Sequence, residues 1–153
     1  MPNDLMREVV RRMVDAELRL AAQEAQESER TVWLRSRLTS TAWNGDPRST
    51  TAKTKLDLST VFAGYPNAPV RAVYVSVSVR DSDSAATDCL LILDPTNAAG
   101  VGQAFRCSGL ANDQYNSSRG WIPCDANGDI YYQVVASGAG TLDAWLEIWG
   151  YML

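Results

Sequence analysis

Residues 123–134 read PCDANGDIYYQV, and the DANGD at their centre has the residue types of a cation site. Asp125, Asn127 and Asp129 alternate as the first ligands of a calcium loop do. A full loop of that kind also needs a glycine after the third ligand and a glutamate at its twelfth position. Here Gly128 precedes Asp129, and no glutamate follows at that distance. Asn-Gly is meanwhile the strongest short signal for a type I′ turn, because both central residues take positive φ. It lies between WIPC and IYYQVV, so the spacing predicts a β-hairpin there, with calcium on Asp125, Asn127 and Asp129 as the minor alternative.

Other chemistry is limited by what is missing. The chain has no histidine, which excludes Ser-His-Asp and Cys-His catalysis, histidine-containing zinc sites and a histidine base. Cys89, Cys107 and Cys124 are 18 and 17 residues apart. That matches no CxxC metal pattern, and reduced core thiols are the expectation. A hydrolase without histidine would need paired carboxylates. Asp143 and Glu147 share a strand face but lie about 13 Å apart at strand rise. That exceeds the separation either glycosidase mechanism uses, about 5–9.5 Å. Gly100-Val101-Gly102 lacks the third glycine, the lysine and the following helix of a nucleotide loop. No enzyme, no cofactor and no resident metal are expected.

Two segments with different grammar must carry whatever function remains. Five of the six glutamates lie before residue 30, and residues 1–39 contain no glycine and only Pro2. All ten glycines and the other five prolines follow residue 40. Glutamate favours helices and is depleted in strands. The reading is a helical arm over 1–39, a linker over 40–55 and a β domain over 56–153. In the arm, Met6, Val9, Met13, Ala16 and Leu20 follow 3-4 spacing, widened by Val10, Val14 and Leu18. That is a coiled-coil-like stripe of about two heptads. It suits either association between chains or packing on the chain's own domain. The stripe resumes with Val32, Trp33, Leu34 and Leu38, and Ser28 suits the cap of a second short helix. Trp43, in the linker, is a docking residue unless the domain edge covers it.

From Leu56 the period becomes two. Val73, Val75, Val77 and Val79 point one way and Ala72, Tyr74, Ser76 and Ser78 the other, as in a half-buried antiparallel strand. DSDSAAT is a turn, CLLILD a strand covered on both faces, and Gln103–Ser108 a short strand with Phe105 and Cys107 inward. LANDQYNSSRG, residues 110–120, reads as a polar loop. In Thr141–Tyr151, joined by SGAG to the strand before it, Leu142, Ala144, Leu146 and Ile148 alternate with Asp143, Trp145, Glu147 and Trp149. Six or seven strands without intervening helices predict an antiparallel β-sandwich or jelly roll. Trp145, Trp149 and Tyr151 share a face, with Tyr131 beside them across the hairpin. Such aromatics stack on sugars or anchor an interface, unless a second sheet covers them.

Charge narrows the partners. Residues 1–39 balance seven arginines against seven acids, so the net charge of −4 lies on the rest of the chain. An acidic β domain repels phosphate, which argues against nucleic acid. No apolar run approaches a membrane span, about 18 residues or more. The start, MPNDLMREVVRRM, lacks the apolar core of a secretory signal.

A helical arm, a linker and a β domain ending in IPCDANGDIYYQV and LEIWGY resemble small virion structural proteins of tailed bacteriophages. The likeness is to fibre C-terminal domains and to head or neck decoration proteins, over residues 56–153 and most of all over the last 33. The resemblance implies a homotrimer located in the virion, with helices that dock on capsid, neck or tail proteins and β domains that project. It carries no functional residues. The arm is short for a long fibre, so a head fibre, a decoration protein or a tail or neck adaptor is the better expectation. The alternative is a carbohydrate-binding module that reads a host surface glycan through Trp145, Trp149, Tyr151 and Tyr131.

Overall fold

The computed structural model describes residues 2–27, 30–81, 89–100, 102–107, 114–137 and 140–153. Ser28, most of the DSDSAAT turn, the first part of the 110–120 loop and the middle of SGAG lie outside the described residues. The chain divides into two units, Met1–Arg30 and Thr31–Leu153. The first is a helix, α1 (Pro2–Glu27). Its side chains from Met6 to Ala22 are solvent-exposed apart from the half-buried Glu8. Glu8 pairs with Arg12 at 3.0 Å, one turn on.

Among the described residues, the second unit holds nine strands: β1 (Thr31–Leu38), β2 (Asn44–Arg48), β3 (Thr51–Leu56), β4 (Ala72–Asp81), β5 (Leu90–Asp94), β6 (Gln103–Arg106), β7 (Tyr115–Pro123), β8 (Ile130–Val135) and β9 (Leu142–Met152). A one-turn helix, α2 (Leu58–Val61), follows β3 and is capped by Asp57, which accepts from the Thr60 amide. One sheet runs β1-β9-β4-β7, with β2 also on β9; the other runs β3-β8-β5-β6. Every pairing is antiparallel. The pairs nest: β1 and β2 with β9, β3 with β8, β4 with β7, β5 with β6. This is one long antiparallel ribbon, folded back at β5–β6 and wound over two packed sheets. The fold is therefore mainly β and sandwich-like, with one N-terminal helix.

Alternation builds the core. Val73, Val75, Val77 and Val79 of β4 are fully buried, as are Leu142, Ala144, Leu146 and Ile148 of β9. Leu91, Leu93, Phe105, Ile130 and Val134 face them from the other sheet, and Leu58, Phe62, Tyr65 and Val70 join the same cluster. The valine alternation in β4, the doubly covered β5 and the inward Phe105 and Cys107 agree with the sequence pattern.

Three expectations need correction. The helix does not continue to residue 39: Thr31–Leu38 is a strand whose Leu34 and Leu38 pack on the core. Thr31, Val32 and Trp33 are β-branched or aromatic and prefer a pleated surface. The segment 40–55 is not a linker, since it contributes β2 and most of β3. Residues 115–120 of the expected polar loop are strand, paired with β4 from Arg80↔Tyr115 to Val75↔Gly120. Polar residues are ordinary there, because one face of that sheet meets water.

Trp43 shows what the 40–55 segment does. Ser40 caps a 3-10 turn over Thr41–Trp43, and Trp43 is only 3% exposed. Its ring meets Tyr132 edge-on at 5.0 Å, and the Arg48 guanidinium lies 3.6 Å from its centroid. Trp43→Ala is expected to lower the unfolding free energy by about 3–5 kcal/mol, as for a buried large aromatic. Urea denaturation checks this; a change under about 0.5 kcal/mol would be that of a surface residue.

Candidate functional site

The DANGD segment is a turn, but not a hairpin. Trp121–Pro123 belong to β7 in one sheet and IYYQVV to β8 in the other, so the turn carries the chain between sheets. Asn-Gly reports local backbone geometry and says nothing about whether the flanking strands pair. Gly128 does take a positive φ of 82°, and the Gly128 amide donates to the Asp125 carbonyl at 3.0 Å.

The carboxylates of the turn are already engaged. Asp125 Oδ1 accepts from the amides of Asn127 and Asp129 at 2.8 and 2.9 Å. Asp129 Oδ1 accepts from the Leu58 amide at 3.0 Å. Lys55 Nζ stands 2.9 Å from Asp129 Oδ2 and 3.6 Å from Asp125 Oδ2. An ammonium thus stands between the two acids, where it would compete with a cation on Asp125, Asn127 and Asp129. Tyr65 donates to the Gly128 carbonyl at 2.8 Å, so the turn also ties down the segment after α2.

The remaining chemistry-bearing side chains have structural partners. Asp143 accepts from Arg80 Nε at 2.9 Å. Glu147 takes Arg37 at 2.8 Å and the Trp149 indole N–H at 3.1 Å. Lys53 and Asp94 form a buried pair at 2.7 Å. Among the described residues, Asp81, Cys89 and Cys107 have ligand atoms within 4.8 Å of one another. The contacts there are hydrogen bonds: Ser137 donates to Asp81 at 2.9 Å, and Cys107 Sγ lies 3.4 Å from Cys89 Sγ. Burial pushes both thiols up, and pushes Cys124 up to about 12. Since the thiolate is the reactive form, Cys89 and Cys107 are expected to resist a maleimide in the folded protein at pH 8 and to label fully in urea, read by mass.

What stands out is the solvent side of the β1-β9-β4-β7 sheet. Trp33, Tyr74 and Trp121 form a triad with centroids 5.1–5.6 Å apart. The notch for Trp33 is Gly150, where a Cβ would come within 3.0 Å of its ring. Further along, Arg37 and Arg119 lie over Trp149 at 5.9 and 5.6 Å. At the far end Tyr115 and Trp145 are 5.2 Å apart, and Arg80 stacks on both. Gly45 passes beneath Trp145 with φ +91°, leaving no room for a Cβ. Between these groups lies a hollow of about 280 Å³ lined by Ser76, Ser78, Tyr115, Trp145 and Glu147. Ser78 bonds Ser117 across its floor at 2.7 Å.

Only part of the expected aromatic set is here. Trp145 and Trp149 are. Tyr151 is not, because the register against β4 shifts between Tyr74 and Val75, opposite Gly150 and Ile148. The bulge at Trp149 turns Tyr151 inward, opposite Val73 and 6.4 Å from Tyr65. Tyr131 sits on β8 of the other sheet, opposite Lys55. Trp33, Tyr74, Trp121 and Tyr115 were missed as a group, since only strand pairing brings them together.

On α1, the apolar side chains of the expected stripe are exposed, as are their polar neighbours apart from Glu8. Met6, Val9, Val10, Met13 and Leu20 are 46–67% exposed, and Val14 and Leu18 fall in the same range. Ala16 is exposed too. Among the described residues, no helix is long and apolar enough to cross a membrane.

The turn also sets a pH dependence. Burial raises the Asp125 carboxyl, but the amides of Asp129 and Asn127, with Lys55, outweigh it and hold its pKa below the usual range. Hydrogen bonds from Thr60 and Ser59 lower Asp57 likewise. A depressed folded-state pKa adds stability that is present above the unfolded value, about 3.9, and lost as pH falls through the folded one. The unfolding free energy is therefore expected to fall between pH 6 and pH 3. In Asp125→Asn, urea titrations should show a smaller fall.

No protein-family model matches the chain. No curated protein matches it either. Among solved structures, it is similar to the coat protein of Tobacco streak virus, seen in a C2 crystal form at 2.1 Å resolution. The TM-score is 0.40 at 10% identity, over 80% of this chain and 83% of that one. A likeness at that level supports no statement about function.

Proposed function

We propose that this chain is a non-enzymatic structural protein of a virion, which associates through α1 and presents its β domain. The observation that carries the reading is the stripe of α1. Seven large apolar side chains, from Met6 to Leu20, stay at least 46% exposed. Contiguous apolar surface of this kind marks an association site. The 3-4 spacing of Met6, Val9, Met13, Ala16 and Leu20 is that of a seam between helices.

The nested ribbon supports the same reading from the other unit. Counting β1 and β2 as one interrupted strand, the orders are 1-8-3-6 and 2-7-4-5. That winding is a jelly roll, an architecture of viral capsid and lectin domains. Fold alone does not give function, and the acids that would serve a hydrolase are tied to Arg80, Arg37, Lys53 and Lys55. The finer reading is a homotrimer acting as a head fibre, capsid decoration protein or tail or neck adaptor of a tailed phage, with other virion proteins as partners. It rests on the resemblance of the C-terminal segments. The carbohydrate-binding alternative keeps only two of its four aromatics on one face.

At low micromolar concentration, Val9→Glu with Met13→Glu is expected to reduce the native mass threefold by light scattering. A chain beginning at Thr31 should behave as that variant does. An unchanged mass in the double variant would remove α1 as the assembly element. Loss of binding to glycan arrays in Trp145→Ala, from a chain that binds them, would favour the alternative.

A further inference from the structure

We infer that the solvent side of the β1-β9-β4-β7 sheet is a second self-association surface, on which another copy of this chain packs face to face. The inference goes beyond the α1 stripe and uses none of its residues.

Composition is the first argument. Four of the five tryptophans lie on or beside this face: Trp33, Trp121, Trp145 and Trp149. Its cations are arginines, while both lysines, Lys53 and Lys55, sit on β3 of the other sheet. Tryptophan, tyrosine and arginine are enriched in protein interfaces and lysine is depleted. Trp33 and Tyr115 are 60% and 55% exposed, so the face holds large aromatic area in water.

Charge and ring geometry choose among occupants. Arg37 and Arg80 are neutralised within the face by Glu147 and Asp143. The chain's net charge of −4 disfavours a nucleic acid or another polyanion. A sugar stacks on a flat open ring, but these rings meet one another at 52–77°. Two guanidiniums already lie on Trp149. Rigid, tilted, arginine-braced aromatics are suited to interdigitate with a similar relief.

The size and shape also fit. Four strands about 4.8 Å apart and nine residues long at about 3.3 Å each give on the order of 600 Å² in projection. The protruding rings bring this near the roughly 800 Å² per partner of a standard interface. The triad of Trp33, Tyr74 and Trp121 is a ridge at one end, and the hollow over Ser76 and Ser78 lies toward the other. A twofold axis in the interface plane would set each copy's ridge against the opposite end of its partner, as an isologous contact requires.

The test is sedimentation of the full chain across concentration. The native mass is expected to double as concentration rises. Trp33→Glu, at a largely exposed site, should weaken that doubling at least about 30-fold, the effect of losing a hot-spot aromatic. Val9→Glu with Met13→Glu should leave the doubling intact while reducing the unit that doubles. Acrylamide quenching of tryptophan fluorescence supplies a second readout and should fall as the protein is concentrated. A mass that never doubles, or doubles equally in Trp33→Glu, overturns the inference. So does a neutral oligosaccharide that protects these tryptophans in dilute protein, because the occupant is then a sugar.

Discussion

The fold rests on the antiparallel pairing of β4 with β9 at the centre of one sheet. Val73, Val75, Val77 and Val79 lie across from Tyr151, Ile148, Leu146 and Ala144, and burying those apolar side chains is the largest favourable contribution the domain can make. A slip of one residue would turn every valine to water, so the register is strongly specified. The same constraint decides the surface. With Leu142, Ala144, Leu146 and Ile148 committed inward, Trp145, Glu147 and Trp149 must point out. The core thus places the outer aromatics without any contact of its own to them. The two glycines that fit this arrangement, Gly45 under Trp145 and Gly150 under Trp33, lie where a Cβ would strike a ring.

What could be read from the sequence was what alternation encodes. β4, β5, β8 and β9 have clean period-two patterns or continuous apolar runs, and the inward residues named from those patterns are the ones that pack. The helix was legible over the span where glutamate and 3-4 spacing agree. Beyond Glu27 the pattern is ambiguous for a physical reason: a short apolar run such as VWL fits a helix face or a strand equally well. β1 is decided by β9, more than a hundred residues away in sequence. The segments expected to be linker or loop failed similarly. NGDPR and TAKTKL are polar because they lie at the margins of their sheets, and an edge can be strand while looking like loop.

The candidate site was half legible. Trp145 and Trp149 follow from the period of β9, whereas Tyr151 was misplaced by one bulge that no local pattern announces. Tyr131 stands beside them only if SGAG closes a hairpin between Asp129–Ala136 and the last strand, whereas β8 and β9 lie in different sheets. In a ribbon wound over two sheets, consecutive strands often cross from one sheet to the other, and a tight turn serves that crossing as well as it serves a hairpin. The signal that could have found Trp33, Tyr74 and Trp121 was bulk: large aromatics on the polar side of alternating strands, where water normally selects smaller or charged residues.

The two unburied apolar surfaces differ in kind, and the difference bears on assembly. The α1 stripe is aliphatic and thioether, flexible and regularly spaced. Such a surface suits parallel helices, and a short seam of two heptads gives modest strength. The sheet face is aromatic, rigid and braced by Arg37, Arg80 and Arg119, so little side-chain entropy remains to be lost when it is covered. A helical seam closes a ring of copies, while an isologous face joins two such rings and closes on itself. On the proposed reading, a chain with both would assemble through two surfaces of its own, with Glu147 and Asp143 paired to Arg37 and Arg80 inside the sheet contact.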